Sequence, residues 1–464
     1  MAALHVVLAA PGLSDSVWLD EAVTSQLCRL PLSFDTTAAN DATPPVYYLV
    51  VHAWGALFGC EAEGIRILSL VLSALSGALL LALGSTWFNL QTGVVAAILF
   101  SVSNLQLHYA TEARCYTLVE LLLLVSYWSF FELRESAKRS TAIVLGVVNA
   151  TIVQTHYVAA LGLLPQLADV ALFRLRDRDG RRRYVQSQLF AVALCLPWAA
   201  YVALHWPPIT PQWLSLPDAA TLAYNFRLLL ATPLEPLWYV LAVVALLVAT
   251  FVRTSERLRH GAAERLTVLA AWGIGVPLVA YAVSRSISIV LPRYLLFASL
   301  GLWLLLAYVV SLAPVPGWLR ALLIALVVGP TLLNGSEPSI ARPDWRHAIG
   351  IVNEHSVPTS SQVIVSPEWE AVTIAYYMID LASTGSVGDL HRNLGFAGVR
   401  VARDPEEVIS DLSDQIRTLI LVTDEADEHV VVLSMPQMCF FRERFTAHPR
   451  QLSVRVLDRD CALE

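Results

Sequence analysis

Long apolar runs separated by short polar segments dominate the first 333 residues of the chain. A membrane-spanning helix needs about 17–25 predominantly apolar residues. One run, 141–173, is too long for a single span and long enough for two short ones with a break near His156. The pattern predicts a polytopic helical membrane domain. Eight further runs meet or approach the length of a span: 65–84, 91–108, 115–131, 184–205, 236–252, 266–284, 293–312 and 318–333.

The last part of the chain has the composition of a water-soluble domain. Its helical and extended patterns alternate, which favours a small α/β domain. We therefore predict a mainly α protein with a transmembrane domain over 1–334 and a soluble α/β domain over 335–464. The predicted helices of the soluble domain are Trp345–His355 and Trp369–Tyr377, and its predicted strands are Gln362–Val365, Thr418–Val422 and Ser453–Leu457.

Basic residues in short loops indicate which ends of the spans face the cytoplasm. The loop Arg174–Arg183 carries six arginines, Phe251–Arg265 carries four, and Glu132–Ser140 carries three basic residues. All three loops can lie in the cytoplasm only if 141–173 crosses the membrane twice. The charge pattern therefore supports the reading of that run as a hairpin.

Successive spans cross the membrane in opposite directions. With the three basic loops in the cytoplasm, the outer face therefore receives the loop 12–64, the turn around Glu112 and the whole C-terminal domain. The apolar stretch Pro44–Gly59 does not fit as a span, and its aromatic residues favour an interfacial helix. The first apolar segment, Met1–Pro11, is about half the length of a span, and we interpret it as the outer part of a first helix. The prediction is then about eleven spans.

Composition narrows the class of protein further. The net charge of −7 argues against nucleic acid as a partner. The six cysteines show no spacing typical of a metal site. Two of them, Cys439 and Cys461, lie in the soluble domain, where they would form a disulfide if that domain is extracytoplasmic or remain two unrelated thiols.

Ionisable side chains cluster at the predicted outer ends of the spans. Asp20 and Glu21 lie in VWLDEAVTSQL, Glu112 and Arg114 in HYATEARCY, and Arg293 in LPRYLL. Taken singly, each has a structural explanation: a solvated carboxylate, an ion pair at a helix end, or an arginine that reaches lipid headgroups. Taken together, they suit a reaction on an anionic, lipid-linked substrate, because arginine binds phosphate oxygens and a carboxylate accepts a proton.

Five motifs in this order resemble the C-type (GT-C) membrane glycosyltransferases, in particular proteins similar to the protein O-mannosyltransferases and the lipid A aminoarabinose transferase. Thr43 stands where many members of this class have histidine, which leaves the details of donor and acceptor binding open. The motifs are Leu19–Ala22 (LDEA), Pro44–Leu49 (PPVYYL), Glu112–Leu118 (EARCYTL), Arg293–Leu296 (RYLL) and Asp344–Arg346 (DWR).

The resemblance implies an inverting transfer of a sugar from a polyprenyl-phosphate donor to an acceptor at the outer face of the plasma membrane. It implies that Asp20 is the catalytic carboxylate, that Glu112 is the second acidic residue, and that Arg114 and Arg293 contact the lipid phosphate. The acceptor would be a lipid, a protein or a glycan. No nucleotide-binding motif is present, and we expect neither a cofactor nor a required metal. The neighbouring residues expected to bind substrate are Glu21, Tyr47, His108, Tyr116 and Tyr294.

Two other classes of protein remain open at this point. A transporter would carry ionisable residues or broken helices near the centres of its spans, whereas the charges here lie at the outer ends. A catalytically silent membrane scaffold would use the C-terminal domain to bind a partner. Substitution of Asp20 by asparagine separates the enzyme from both.

Overall fold

The computed structural model describes most of the chain. The predicted span 236–252, most of 318–333, and the predicted domain boundary between residues 334 and 335 lie outside the described residues. The described ranges are 1–40, 43–174, 178–205, 216–230, 260–312, 342–357, 360–379, 387–402, 415–424 and 439–461, with the short pieces 316–318, 322, 325 and 412.

The described residues are mostly helical. The segment 157–163 forms a 3₁₀ helix, and the segment 169–174 forms a π-helix. The segment 271–275 is a second π-helix and joins two helices of one candidate span. In chain order the α-helices are α1 Ala2–Ala9, α2 Leu19–Arg29, α3 Phe34–Asn40, α4 Val46–Phe58, α5 Ala62–Trp87, α6 Leu90–Val102, α7 Asn104–Ala110, α8 Tyr116–Ser136, α9 Arg139–Val153, α10 Leu164–Ala168, α11 Arg178–His205, α12 Ala219–Leu230, α13 His260–Ala270, α14 Val276–Val283, α15 Pro292–Leu295, α16 Ala298–Leu312, α17 Trp345–His355, α18 Ala371–Met378 and α19 Val387–Phe396.

Contacts divide the chain into two compact units. The helical unit comprises Met1–Leu13, Thr37–Val50 and Arg66–Ser339, and the sheet-containing unit comprises Ser14–Thr36, Val51–Ile65 and Ile340–Glu464. Parts of the predicted outer loop 12–64 thus group with each unit. Its assignment to a membrane domain over 1–334 stays a prediction.

Among the described residues, four helices are long and apolar enough to cross a membrane, and two bent helix pairs would raise the number to six. One bent pair is α6 and α7, which meet at an angle of 68°. The predicted span 91–108 is broken there because Ser103 is extended and its hydroxyl caps the next helix by accepting the backbone N–H of Gln106. The count of about eleven spans stays a prediction. The four long helices are Ala62–Trp87, Tyr116–Ser136, Arg178–His205 and Ala262–Val283.

Polar contacts at one end of the helical unit join the ends of some helices to the beginning of another. Arg134, near the end of α8, pairs with Asp169 at 3.0 Å and with Glu264 in the first half of α13. Arg265 donates to the backbone oxygen of Trp87, the last residue of α5, at 2.9 Å. Helices that begin here therefore face helices that end here. Arg134 and Arg265, which lie at this end, come from two of the loops for which the charge pattern predicts the cytoplasmic side. That sidedness stays a prediction.

The interior of the helical unit is packed by aromatic rings and by glycines where helices approach closely. Tyr127 and Trp272 stack with centroids 4.1 Å apart, and the Tyr127 hydroxyl donates to the backbone oxygen of Gly162 at 2.8 Å. A Cβ on Gly301 would lie 2.9 Å from the backbone nitrogen of Gly273. A larger residue there would separate the two backbones, which is why small residues favour close helix packing in membranes.

The sheet-containing unit is built on one mixed five-stranded sheet with the order β2-β1-β3-β5-β4. β1, β2 and β3 are parallel, whereas β5 runs antiparallel to both β3 and β4. Helix α17 begins at Trp345, which is 1% exposed and packs in the core with the sheet. The strands are β1 Ser361–Val365, β2 Val399–Val401, β3 Thr418–Asp424, β4 Cys439–Ala447 and β5 Leu452–Cys461.

The structure confirms the small α/β pattern predicted for the tail. Helix α17 has the predicted bounds, and β1, β3 and β5 cover the three predicted strands. The sequence analysis missed β2, which is only three residues long, and β4, in which polar residues interrupt the apolar pattern. It also missed helix α19.

A disulfide joins Cys28 at the end of α2 to Cys60 just before α5, within the sheet-containing unit. The sequence analysis did not predict this pairing, because 32 positions separate the two cysteines. The predicted partners Cys439 and Cys461 lie opposite each other in the register of β4 and β5. A bond between them stays a prediction.

Loss of the Cys28–Cys60 disulfide should lower the free energy of unfolding by about 2–4 kcal/mol, the usual range for a loop of this size. We expect the double variant Cys28→Ser/Cys60→Ser to unfold at a lower temperature than the wild type under non-reducing conditions. In a background with Cys439 and Cys461 replaced by alanine, reduction of the protein should produce the same change, and reduction of the double variant should not add to it. Equal unfolding temperatures for oxidised wild type and variant would contradict this expectation.

Candidate functional site

The turn between α7 and α8 positions Glu112. The hydroxyl of Ser69 on α5 donates to the backbone oxygen of Glu112 at 2.6 Å, and Gly12 allows the N-terminal segment to approach Thr111. The carboxylate of Glu112 is 3.5 Å from His108 Nε2, one helical turn earlier. Glu112 is 1% exposed. A buried carboxylate beside a histidine at the end of a helix is costly to maintain, which favours a functional role.

Arg114 lies two residues further along the same turn. Its Nη1 donates to the hydroxyl of Tyr48 on α4 at 3.2 Å, and both side chains are buried. Tyr47, the residue predicted to bind substrate, packs edge-on against Tyr48 with centroids 5.6 Å apart. Tyr48 was not singled out from the sequence, because nothing in the PPVYYL motif distinguishes one tyrosine from the other.

Arg293 and Tyr294 lie on the short helix α15 and face a narrow crevice. The guanidinium carbon of Arg293 is 5.5 Å from the centre of the Tyr294 ring. His156, at the break after α9, is 4.8 Å from the Tyr294 ring and 6.0 Å from the Tyr116 ring. The crevice between them has a volume of only about 10 Å³, roughly the room of one water molecule. A phosphate would therefore require these side chains to move apart.

Four stretches of sequence thus meet at one end of the helical unit. Tyr116 joins the Glu112–Arg114 turn to the crevice around Arg293, and the backbone N–H of Val46 donates to the oxygen of Gln154 near His156 at 3.0 Å. Helix α8 runs from this end, at Tyr116, to the opposite end, which carries Arg134 and Arg265. The structure therefore brings together seven predicted residues: Tyr47, His108, Glu112, Arg114, Tyr116, Arg293 and Tyr294.

His156 was interpreted from the sequence as a turn histidine. It does lie at the break of the hairpin, and it also lines the crevice beside Arg293. Its contacts with Tyr116 and Tyr294 join residues far apart in sequence. No local pattern could have shown this.

Asp20 and Glu21 lie in the first turn of α2, in the sheet-containing unit. Glu21 is completely buried, whereas Asp20 is partly exposed. Carboxylates in the first turn of a helix are stabilised by the helix dipole. Of the two, Asp20 is the carboxylate that remains accessible to a reactant.

The chain immediately before α2 is held by a tyrosine of α18. Val17 N–H donates to the hydroxyl of Tyr377 at 2.6 Å, and the Ser16 hydroxyl is 3.0 Å from the same oxygen. The neighbouring Tyr376 accepts the backbone N–H of Ala62 at 3.3 Å. Burial, with a smaller contribution from the carboxylate of Glu63, raises the pKa of Tyr376, so its phenol stays protonated and donates a hydrogen bond.

Across the ranges that the structure describes, no group of three or more His, Cys, Asp or Glu side chains is arranged to hold a metal ion. The prediction that no metal is required stays a prediction.

Solved structures share the architecture of nearly the whole chain. ArnT from Cupriavidus metallidurans bound to undecaprenyl phosphate is 12% identical, with a TM-score of 0.57 over 98% of this chain and 96% of that chain. Its apo state is 13% identical, with a TM-score of 0.58 and the same coverage. The oligosaccharyltransferase of Archaeoglobus fulgidus in the apo form is 10% identical, with a TM-score of 0.51 over 90% of this chain and 68% of that chain.

The chain therefore has the fold of the GT-C membrane glycosyltransferases, and the resemblance predicted from its motifs is confirmed. Residues 42–202 match the family model described as dolichyl-phosphate-mannose-protein mannosyltransferase. This match includes the Glu112 turn and His156, and it excludes Asp20 and Arg293. Among curated proteins, no sequence matches this chain.

Proposed function

We propose that the protein is a glycosyltransferase that moves a sugar from a polyprenyl-phosphate donor to an acceptor at the outer face of the membrane. The observation that carries the proposal is the meeting of Glu112, Arg114 and Arg293 at one end of the helical unit, opposite its basic end. ArnT, whose fold is similar, was crystallised with undecaprenyl phosphate, which supports a lipid-phosphate donor.

Two arginines suit the departing phosphate. As the bond from the sugar to the phosphate breaks, its electron pair goes to the phosphate oxygen. Preorganised cations in a site of low dielectric stabilise this charge more strongly than water does. Arg114 is already held by Tyr48, and Arg293 lies at the head of α15. Arg293 would contact the lipid phosphate once the side chains around its crevice have moved apart.

A carboxylate completes the reaction. The acceptor oxygen attacks the anomeric carbon, and its proton passes to a carboxylate within about 3 Å. We assign this role to Asp20, which the resemblance implies and its partial exposure allows. Glu112 is the second acidic residue of the proposed site. A single displacement of this kind inverts the configuration at the anomeric carbon.

Two features support an outer-face location for the reaction. The Cys28–Cys60 disulfide is typical of an oxidising compartment, and it lies in the same unit as Asp20. Arg134 and Arg265, from basic loops of the kind that favour the cytoplasm, lie at the end of the helical unit opposite Glu112 and Arg293.

The proposed sidedness predicts which positions react with a membrane-impermeant thiol label in intact cells. Single cysteines introduced at Ser215 and Ser386 should be labelled, and one at Asp179 should react only after the membrane is permeabilised. The parent protein with Cys115, Cys195, Cys439 and Cys461 replaced by alanine provides the background. Labelling of position 179 from outside would reverse the sidedness and remove the basis for an outer-face site.

A further inference from the structure

A polar cavity of about 400 Å³ lies in the sheet-containing unit, at the beginning of helix α17. Its volume is in the range of small-molecule binding sites, about 300–1,000 Å³. The DWR motif, Asp344–Arg346, forms part of its wall, and the proposed transfer reaction gives this motif no role. The cavity is lined by Ser14, Asp15, Ser16, Arg342, Asp344, Arg346, His347 and Arg450.

Arginines are the most numerous charged residues in the lining of the cavity. The lining has three arginines and two aspartates, and Arg346 also pairs with Glu63 at 3.5 Å. Asp344 is engaged as the helix cap, because its carboxylate accepts the backbone N–H of His347 at 3.2 Å. Asp15 is 3.4 Å from Arg342. The N-terminus of an eleven-residue helix adds a partial positive charge at the same place. The arginine N–H donors and the helix N-terminus together favour an anion as the ligand.

The cationic groups are held in place by the surrounding structure. Arg342 is 5% exposed. Arg346 donates from its backbone to the Ser16 hydroxyl at 3.0 Å and from its guanidinium to the backbone oxygen of Ser14 at 2.9 Å. Asp344 N–H donates to the backbone oxygen of Arg450 at 3.0 Å. The wall is therefore preorganised, which reduces the cost of ordering side chains on binding.

We propose that this cavity binds a phosphate ester that also carries hydroxyl groups. Arginine binds phosphate oxygens through its planar fork of N–H donors, and helix N-termini bind the same group. The oxygens of Asp15 and of the two serines can accept hydrogen bonds from hydroxyls of the ligand. Two sources present this chemistry: a soluble polyol phosphate, or the headgroup of an anionic lipid such as phosphatidylglycerol.

The cavity also bears on the proposed transfer. Ser16 in its wall is four residues before Asp20, so their Cα atoms are at most about 14 Å apart. The cavity would therefore hold a phosphate-bearing molecule in the same part of the chain as the proposed base, a consequence that rests on the proposed function. The binding itself does not depend on transfer.

Binding is tested with the full-length protein in nanodiscs of phosphatidylcholine. The probes are inorganic phosphate and glycerol 3-phosphate, measured by calorimetry, and a second set of nanodiscs contains phosphatidylglycerol, with thermal unfolding as the readout. Arg450→Gln removes an exposed guanidinium from the wall and should weaken binding about tenfold, the scale of one charge-assisted hydrogen bond. Arg400→Gln, an exposed arginine on β2 outside the cavity, is the matched control and should bind as the wild type does.

Each outcome decides the proposal. Saturable binding of a soluble probe that Arg450→Gln weakens identifies a free phosphate ester. Stabilisation only by phosphatidylglycerol, lost in Arg450→Gln, identifies a lipid headgroup. The proposal is overturned if the wild type shows neither effect. It is also overturned if Arg400→Gln loses as much binding as Arg450→Gln does. Unfolding temperatures without probe show that each variant is folded. No turnover is measured, so failure here leaves the proposed transferase activity standing.

Discussion

The variant Asp20→Asn should lose sugar transfer by about 10²- to 10⁴-fold, the contribution of a positioned general base. Asparagine keeps the size of the side chain and cannot accept the proton of the attacking hydroxyl. Asp20 is partly exposed, so its substitution should leave expression and the affinity for the donor close to those of the wild type. The measurement is turnover with a polyprenyl-phosphate sugar, together with donor binding to the same preparation.

Glu21→Gln is the matched control for this experiment. Neighbouring residues on a helix point about 100° apart, so the carboxylates of Asp20 and Glu21 point in different directions. Glu21 is completely buried, and its loss should affect the amount of folded protein more than the rate of transfer. If Asp20→Asn keeps full activity and folded Glu21→Gln loses it, then Glu21 is the base and Asp20 is not.

The variants Arg114→Ala and Arg293→Ala should each weaken use of the donor by about 1.5–3 kcal/mol, the scale of a hydrogen bond to a charged group. The loss should appear in kcat/KM for the polyprenyl-phosphate sugar. Arg293→Lys should recover only part of it, because a point charge replaces a planar fork of donors. For Arg114, some loss of stability is also expected, since the Tyr48 hydroxyl loses the donor it accepts from.

Arg285→Ala is the control for the two arginines. Arg285 is exposed, lies eight residues before Arg293, and donates to the backbone oxygen of Pro217 at 3.1 Å, so it is outside the proposed site. Its substitution should leave donor use unchanged. If Arg114→Ala and Arg293→Ala behave as Arg285→Ala does, the two arginines are structural and the donor phosphate binds elsewhere.

Local patterns were sufficient to predict several elements and the outline of the site. Helix α17 has the predicted bounds because its cap, Asp344, and its apolar spacing are both local features. The turn that carries Glu112 and Arg114 was found because ionisable residues between two apolar runs stand out against their surroundings. Arg293, at the head of a strongly apolar helix, stands out for the same reason.

Features that depend on distant residues could not be predicted. The bond between Arg114 and Tyr48 joins positions 66 residues apart, and the contacts of His156 depend on how α8, α9 and α15 pack. The Cys28–Cys60 bond depends on the same kind of long-range packing. The short strand β2 exists because β1 pairs with it, and three residues alone carry no periodicity that identifies a strand.

Transfer of label from a lipid donor tests the central claim most directly. Membranes that contain the protein are incubated with polyprenyl-phosphate sugars labelled in the sugar, and the label that leaves the lipid is measured, with membranes containing Asp20→Asn beside them. The proposed function predicts that the wild type transfers label from at least one such donor to a membrane or soluble acceptor, and that Asp20→Asn does not. Label that stays on every donor, or leaves equally fast with Asp20→Asn, would contradict it.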